Sequence, residues 1–210
     1  MLTIQQIKNT PVPSNCFVIY DKAVGRECAV IDPGSKSDEE LFAFIDGQHL
    51  EPKYVILTHE HFDHCWGVNE FVEKYHVPIV CSARCAEYIK YEKKNCSVFY
   101  DNKESFVIEK DAKTVESING VLPFLNTKFL FILTPGHTGA SICIKIGCYL
   151  FTGDTLLKGI RTVTKLPTGS KEELGQTLEL LEGMIGENII VCPGHGEVFR
   201  LDEYDIKRAL

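Results

Sequence analysis

Four short motifs, each placed directly after an apolar run, constrain this chain more than any other feature. They are Thr58-His59-Glu60-His61-Phe62-Asp63-His64, Thr134-Pro135-Gly136-His137-Thr138, Thr152-Gly153-Asp154-Thr155 and Pro193-Gly194-His195-Gly196. Val55-Ile56-Leu57 runs into the first, Leu130-Phe131-Ile132-Leu133 into the second, Leu150-Phe151 into the third and Ile189-Ile190-Val191 into the fourth. A fold that lays these runs side by side opens all four loops on one edge, and rigid strands then hold loop-borne ligands in place. The proline–glycine pairs permit the abrupt turns that aim a histidine inward right after a strand.

The residues so gathered are five imidazoles, His59, His61, His64, His137 and His195, and two carboxylates, Asp63 and Asp154. This donor set suits two divalent ions, Zn2+ first, with Fe or Mn also compatible with its mixture of imidazole and carboxylate. Within the first motif His59 and His61 are two apart and can point to the same side of an extended loop, while Asp63 and His64 can face a second ion. Asp32 in Val30-Ile31-Asp32-Pro33-Gly34 also ends a strand. It is expected to hold the metal loops by hydrogen bonds rather than to bind metal. His49 and His76 lie outside any motif and are read as structural or solvated.

With 210 residues, 44% apolar and 24% charged, the chain suits one domain, residues 1–210, with a full core. The net charge of -7 comes without a basic stripe, so the expected partner is a small-molecule substrate and not nucleic acid. No apolar run is long enough for a membrane span. Nine cysteines, an odd number without a C-x-x-C pair, and no export leader fit free thiols in a reducing cytoplasm.

Strands are expected at Leu2–Lys8, Cys16–Tyr20, Glu27–Ile31, Tyr54–Leu57, Val77–Val80, Phe106–Glu109, Phe129–Leu133, Ser141–Ile146, Tyr149–Phe151 and Ile189–Val191, with a tight hairpin pivoting on Gly147. Capping-box spacing at Ser37/Glu40 and at Ser170/Glu173 predicts two helix starts. Leu174, Leu178, Leu181 and Ile185 form one face of the second helix, and Gly186 can end it. Further helices are expected at Ala83–Tyr91 and Asp202–Leu210. Tyr91–Asn126 is the least regular stretch and the natural place for a substrate-facing lid. Lys158, Arg161 and Lys165, close after Asp154, are candidates to meet an anionic substrate group, and Tyr88, Tyr91 and Tyr100 to line a pocket.

These motifs resemble the metallo-β-lactamase superfamily. Its H-x-H-x-D-H signature is matched by His59, His61, Asp63 and His64, its later histidines by His137 and His195, and its bridging aspartate by Asp154. The resemblance implies a four-layer αββα sandwich with two metals at one edge. His59, His61 and His137 would hold one ion, Asp63, His64 and His195 the other, and Asp154 would bridge them. Leu150 to Leu156 and the turn Leu166-Pro167-Thr168-Gly169 look like the glyoxalase II-like hydrolases of that superfamily. The implied activity is hydroxide attack on an ester-like carbonyl, foremost a thioester, with Asp63 orienting the water and shuttling its proton. Two cations lower the pKa of water from 15.7 toward about 7, and a thiolate, of pKa about 8.5, leaves with little acid help. The alternatives are a mononuclear iron enzyme resembling the persulfide dioxygenases, a lactonase or phosphodiesterase on the same fold, and a non-catalytic binding module.

Overall fold

In this computed structural model, which describes residues 1–100 and 103–210, apolar residues alternate along the strands and pack against both faces of each sheet. The first sheet carries six strands in chain order: β1 (Thr3–Lys8), β2 (Asn15–Tyr20), β3 (Glu27–Ile31), β4 (Glu51–Ile56), β5 (Ile79–Cys81) and β6 (Ala112–Thr114). The first two pairings are antiparallel and the last three parallel. The second sheet holds β7 (Val121–Phe124), β8 (Thr127–Leu133), β9 (Ile142–Ile146), β10 (Tyr149–Gly153), β11 (Ile190–Pro193) and β12 (Phe199–Arg200), again in order. Here only β10 and β11 run parallel.

Period-two alternation sorts the side chains into three apolar layers. Phe17, Ile19, Ile31, Ile56, Ile144 and Phe151 fill the space between the sheets. Val18, Val30, Val55 and Ile79 face away from it, toward helices α1 (Glu39–Gly47) and α3 (Val68–Tyr75), whose Leu41, Ile45, Phe71 and Val72 are buried there. On the far side Leu150 and Val191 meet Leu174, Leu178 and Leu181 of α6 (Lys171–Glu182). Helix, sheet, sheet, helix is the four-layer order expected from the sequence. Three short helices complete it: α2 (Phe62–Cys65), α4 (Ala83–Tyr88) and α5 (Ser97–Tyr100).

The hairpin at Gly147 forms, with Ile146 opposite Tyr149 and Gly147 at φ +58°. Ser170 caps α6 by accepting from the Glu173 amide at 3.2 Å. Several expectations need correction. No strand forms at Phe106–Glu109; Phe106 instead stacks on Trp66 and Ile108 is buried beside α4, its amide bonded to Ile89. Ser37 caps nothing, since α1 starts after Asp38 and no side chain caps it. The helix after Ser170 stops at Glu182, four residues before Gly186, and leaves Ile185 exposed. The C-terminal helix is two separate 3-10 turns, Leu201–Glu203 and Ile206–Ala209. All nine cysteines are free, eight of them buried. Among the described residues no helix is long and apolar enough to cross a membrane.

Candidate metal centre

The four motifs emerge from the ends of β4, β8, β10 and β11 and converge. Nitrogen atoms of His59, His61 and His137, all buried, lie within 4.8 Å of one another, as do ligand atoms of Asp63, His64 and His195. Ring centroids are 4.8 Å apart for His59 and His61, 4.9 Å for His59 and His137, and 5.3 Å for His64 and His195. Asp154 stands between the two groups. Its Oδ2 is 3.7 Å from His137 Nε2 and 3.5 Å from His195 Nε2, and its Oδ1 is 3.4 Å from His64 Nε2. Asp63 Oδ2 lies 3.2 Å from His195 Nε2 and 3.7 Å from His64 Nε2.

Several of these atoms are buried with no hydrogen-bond partner: His59 Nε2, His61 Nε2, His64 Nε2 and Asp154 Oδ1. A buried polar atom without a partner is costly, and a cation among these atoms would satisfy them. The opposite ring nitrogens are already engaged. His59 Nδ1 meets Thr58 Oγ1 at 3.0 Å, His137 Nδ1 donates to the Val163 carbonyl at 2.7 Å, and His195 Nδ1 faces the Pro13 carbonyl at 3.3 Å. Such outer contacts fix ring orientation and turn the other nitrogen inward, where His137 Nε2 meets His61 Nδ1 at 3.0 Å.

The electrostatics divide along the same line. Burial, reinforced by neighbouring imidazoles, holds His59 well below the usual histidine range and His61 down at about 3. Burial alone would also keep His64 neutral, but Asp63, Asp154 and Asp32 outweigh it and raise that imidazole well above its ordinary value. For Asp154 burial acts upward and is overcome by His64, His137 and His195, which hold the carboxyl well below the carboxylate range. One group therefore favours neutral nitrogen donors, and the other concentrates negative charge where a second cation can sit.

Asp32 holds the centre from behind. Its carboxylate accepts from the Thr58 amide at 2.8 Å and Thr58 Oγ1 at 2.6 Å, and contacts His64 Nδ1 at 2.9 Å. Both oxygens are thus occupied, although the carboxylate also lies within 4.8 Å of ligand atoms of His59 and His64. These bonds anchor a backbone at φ +53°, which non-glycine residues rarely adopt. Gly194 is required by space: a Cβ there would stand 2.2 Å from Asp154 Oδ1 and 2.7 Å from His64 Cε1.

Lys158 points to Glu197, 3.6 Å away, and Arg161 is exposed. Among the described residues neither bonds to the histidine cluster. The Tyr91–Asn126 stretch divides: β6 and β7 are edge strands of the two sheets, and the part before them rests on the metal loop, where Phe62 donates its amide to the Asn95 carbonyl at 2.7 Å. Sequence reasoning missed Glu60. It is fully buried, accepts from Thr138 Oγ1 at 2.9 Å and Thr168 Oγ1 at 3.3 Å, and burial pushes its carboxyl up to about 7. It ties the loops bearing His61 and His137 together. Its signal was its position alternating with two ligands, which turns it to the loop's other side. Ser14, whose hydroxyl donates to the Asp63 carbonyl, had no signal in the motif pattern.

A family model described as the metallo-beta-lactamase superfamily matches residues 9–195. Among solved structures, the BLEG-1 B3 metallo-beta-lactamase superposes with a TM-score of 0.86 at 24% identity, covering 98% of this chain and 95% of its own. TTHA1623 in a di-iron-bound form gives 0.80 at 23%, covering 94% of each chain. ETHE1 from Myxococcus xanthus gives 0.72 at 20%, covering 99% of this chain and 88% of that one.

Proposed function

The chain belongs to the metallo-β-lactamase superfamily, and from that membership we propose that it is a dinuclear metal-dependent hydrolase whose substrate is an ester-like carbonyl compound, foremost a thioester of the glyoxalase II-like kind. The observation that carries this reading is the pair of complete ligand groups with Asp154 between them. His59, His61 and His137 would hold one ion, and Asp63, His64 and His195 the other. A mononuclear iron reading leaves the second group, with its unpartnered His64 Nε2, without a role. The ions are proposed as Zn2+; the di-iron form of TTHA1623 keeps iron in view.

When bound, the two ions supply Lewis acidity to a carbonyl and a lowered pKa to water. The protein's own contribution is placement. Asp154 fixes the spacing of the two groups. Asp63, partly accessible and 3.2 Å from His195 Nε2, is the carboxylate placed to orient the attacking water and take its proton. Asp32 and Thr58 keep His64 and His59 from rotating. A thiolate leaving group needs no dedicated acid, and none is required beyond these residues. The acidic balance and absence of a basic stripe support a small-molecule substrate, and the odd count of free thiols supports a reducing compartment such as the cytoplasm.

The test is Asp154→Ala, assayed against thioesters, lactones and phosphodiesters alongside elemental analysis of the purified protein. Wild type is expected to hold two metal equivalents and to prefer thioesters. The variant should lose more than about 100-fold in kcat/KM together with bound metal. Undiminished hydrolysis with unchanged metal content would refute the assignment, and a single iron per chain would turn it toward the mononuclear enzyme.

A further inference from the structure

We propose that an aromatic shelf rooted in the metal loop receives the apolar part of the substrate, so that the enzyme's substrates are thioesters of hydrophobic acyl groups; this rests on the hydrolase reading above. Phe62 stands in the chain between His61 and Asp63, one residue from a member of each ligand group. Its ring centroid is 4.9 Å from that of Tyr100 and 5.6 Å from that of Trp66, and Trp66 and Tyr100 are 5.7 Å apart. Phe106 stacks on Trp66 at 5.6 Å and 16°. The outer ring is open: Tyr100 is 47% exposed, and Phe99 beside it 67%. Large aromatic surface left in water beside the metal loop marks a binding surface, because covering it is favourable and none of the described residues does so.

The shelf is held rigid. Asn95, fully buried, accepts the Phe62 amide on its carbonyl at 2.7 Å and donates from Nδ2 to the Phe106 carbonyl at 2.7 Å, while its Oδ1 accepts from the Ser97 amide at 2.9 Å. A preformed surface binds without first being ordered. Its chemistry is apolar. The ammonium of Lys36, 6.0 Å from the Trp66 ring, is paired with Glu104 at 2.5 Å, so this cation is neutralised and does not call for an anionic group. In the reaction the water oxygen bonds to the carbonyl carbon as Asp63 takes one of its protons, the carbon–sulfur bond breaks, the sulfur leaves with the electron pair as a thiolate, and the acyl chain stays on the shelf as a carboxylate once the remaining proton passes to solvent.

Trp66 is the sole tryptophan, so its emission reports on the shelf independently of turnover. The metal-loaded protein is titrated with hexanoate and with acetate, and kcat/KM is measured for hexanoyl and acetyl thioesters of one thiol. Hexanoate is expected to bind at least about tenfold tighter and to shift Trp66 emission, with a matching preference of about tenfold in kcat/KM. Tyr100→Ala should bring both ratios within about threefold, mainly through KM on the hexanoyl substrate, whereas Tyr100→Phe keeps them. Equal binding of the two acids by wild type, or equal losses on both substrates in Tyr100→Ala, overturns the shelf. Preferential hexanoate binding at Trp66 in a protein that cleaves no thioester leaves the shelf standing and removes the hydrolase reading instead.

Discussion

Replacing Asp38 with asparagine should stabilise the protein, and by an amount that grows with pH. Asp38 precedes α1, is 1% exposed, and neither carboxylate oxygen has a hydrogen-bond partner. Oδ2 presses against Gly67, filling the space a Cβ would need: such an atom would lie 1.8 Å from it. Burial, with repulsion from Glu70 added, pushes the carboxyl from 3.8 up to about 7. An acid raised in the folded state costs nothing below its unfolded pKa, where both states are protonated. As pH climbs from about 4 to about 7 the unfolded chain has released its proton and the native state has not, so stability falls by about 1.4 kcal/mol per pH unit. Across the window that is about 4 kcal/mol, constant at higher pH. Asparagine has the same shape and no charge to bury. Urea denaturation followed by circular dichroism at pH 4.5 and pH 8 should therefore show Asp38→Asn gaining about 3 kcal/mol on wild type between the two conditions. A stability difference that stays the same at both pH values would show that Asp38 is ionised at low cost in the native protein and would refute the reasoning.

Gly194→Ala places a methyl group against Asp154, His64 and the Gly153 backbone; elemental analysis should show loss of at least about half of the bound metal while far-UV circular dichroism is unchanged, since the clash is local to the ligand loops. Asp32→Asn removes a charge that orients His64 and replaces one of the two oxygens that accept from Thr58 with a donor; metal affinity measured by competition with a chelator should weaken by about 10- to 100-fold, and an unchanged affinity would reduce Asp32 to a turn residue.

How far the sequence could be read depended on how each segment is buried. β2 and β9 are covered on both faces, so their runs Cys16-Phe17-Val18-Ile19 and Ile142-Cys143-Ile144 are nearly continuous apolar signals. The loops carrying ligands also follow apolar runs, which is why the donor residues were visible before the structure. β6, β7 and β12 are edge or near-edge strands of two to four residues. Ala112-Lys113-Thr114 has no apolar pattern, and Val121-Leu122-Pro123-Phe124 contains a proline that only an edge tolerates. Phe106–Glu109 has strand-like residues but spends them against Trp66 and α4. α3 went unread because its buried residues, Val68, Phe71 and Val72, make a single short stripe directly after the metal motif. Asp38, Glu60 and Ser14 are defined only by what other parts of the chain bring against them, and no spacing within one sequence conveys that.

The same dependence explains how a centre split between two sheets keeps its geometry. His59, His61, Asp63 and His64 hang from β4 in the first sheet, whereas His137, Asp154 and His195 hang from β8, β10 and β11 in the second. Apolar packing between the sheets is non-directional and tolerates sliding; a metal site tolerates little. At the ligand end the sheets are therefore joined by directed bonds. The Ile142 amide donates to the Thr58 carbonyl at 2.9 Å, tying β9 to the metal loop, and the Asn15 amide donates to the Gly194 carbonyl at 2.6 Å, tying β2 to the loop of His195. Asn15 Nδ2 adds a bond to the Pro193 carbonyl at 2.8 Å. The irregularity in β10 between Phe151 and Gly153 lets the Gly194 amide reach the Gly153 carbonyl at 2.7 Å, which sets the Asp154 and His195 loops against each other. These bonds fix the offset between the sheets before any metal arrives, and Asp154 can face both ligand groups because that offset is fixed.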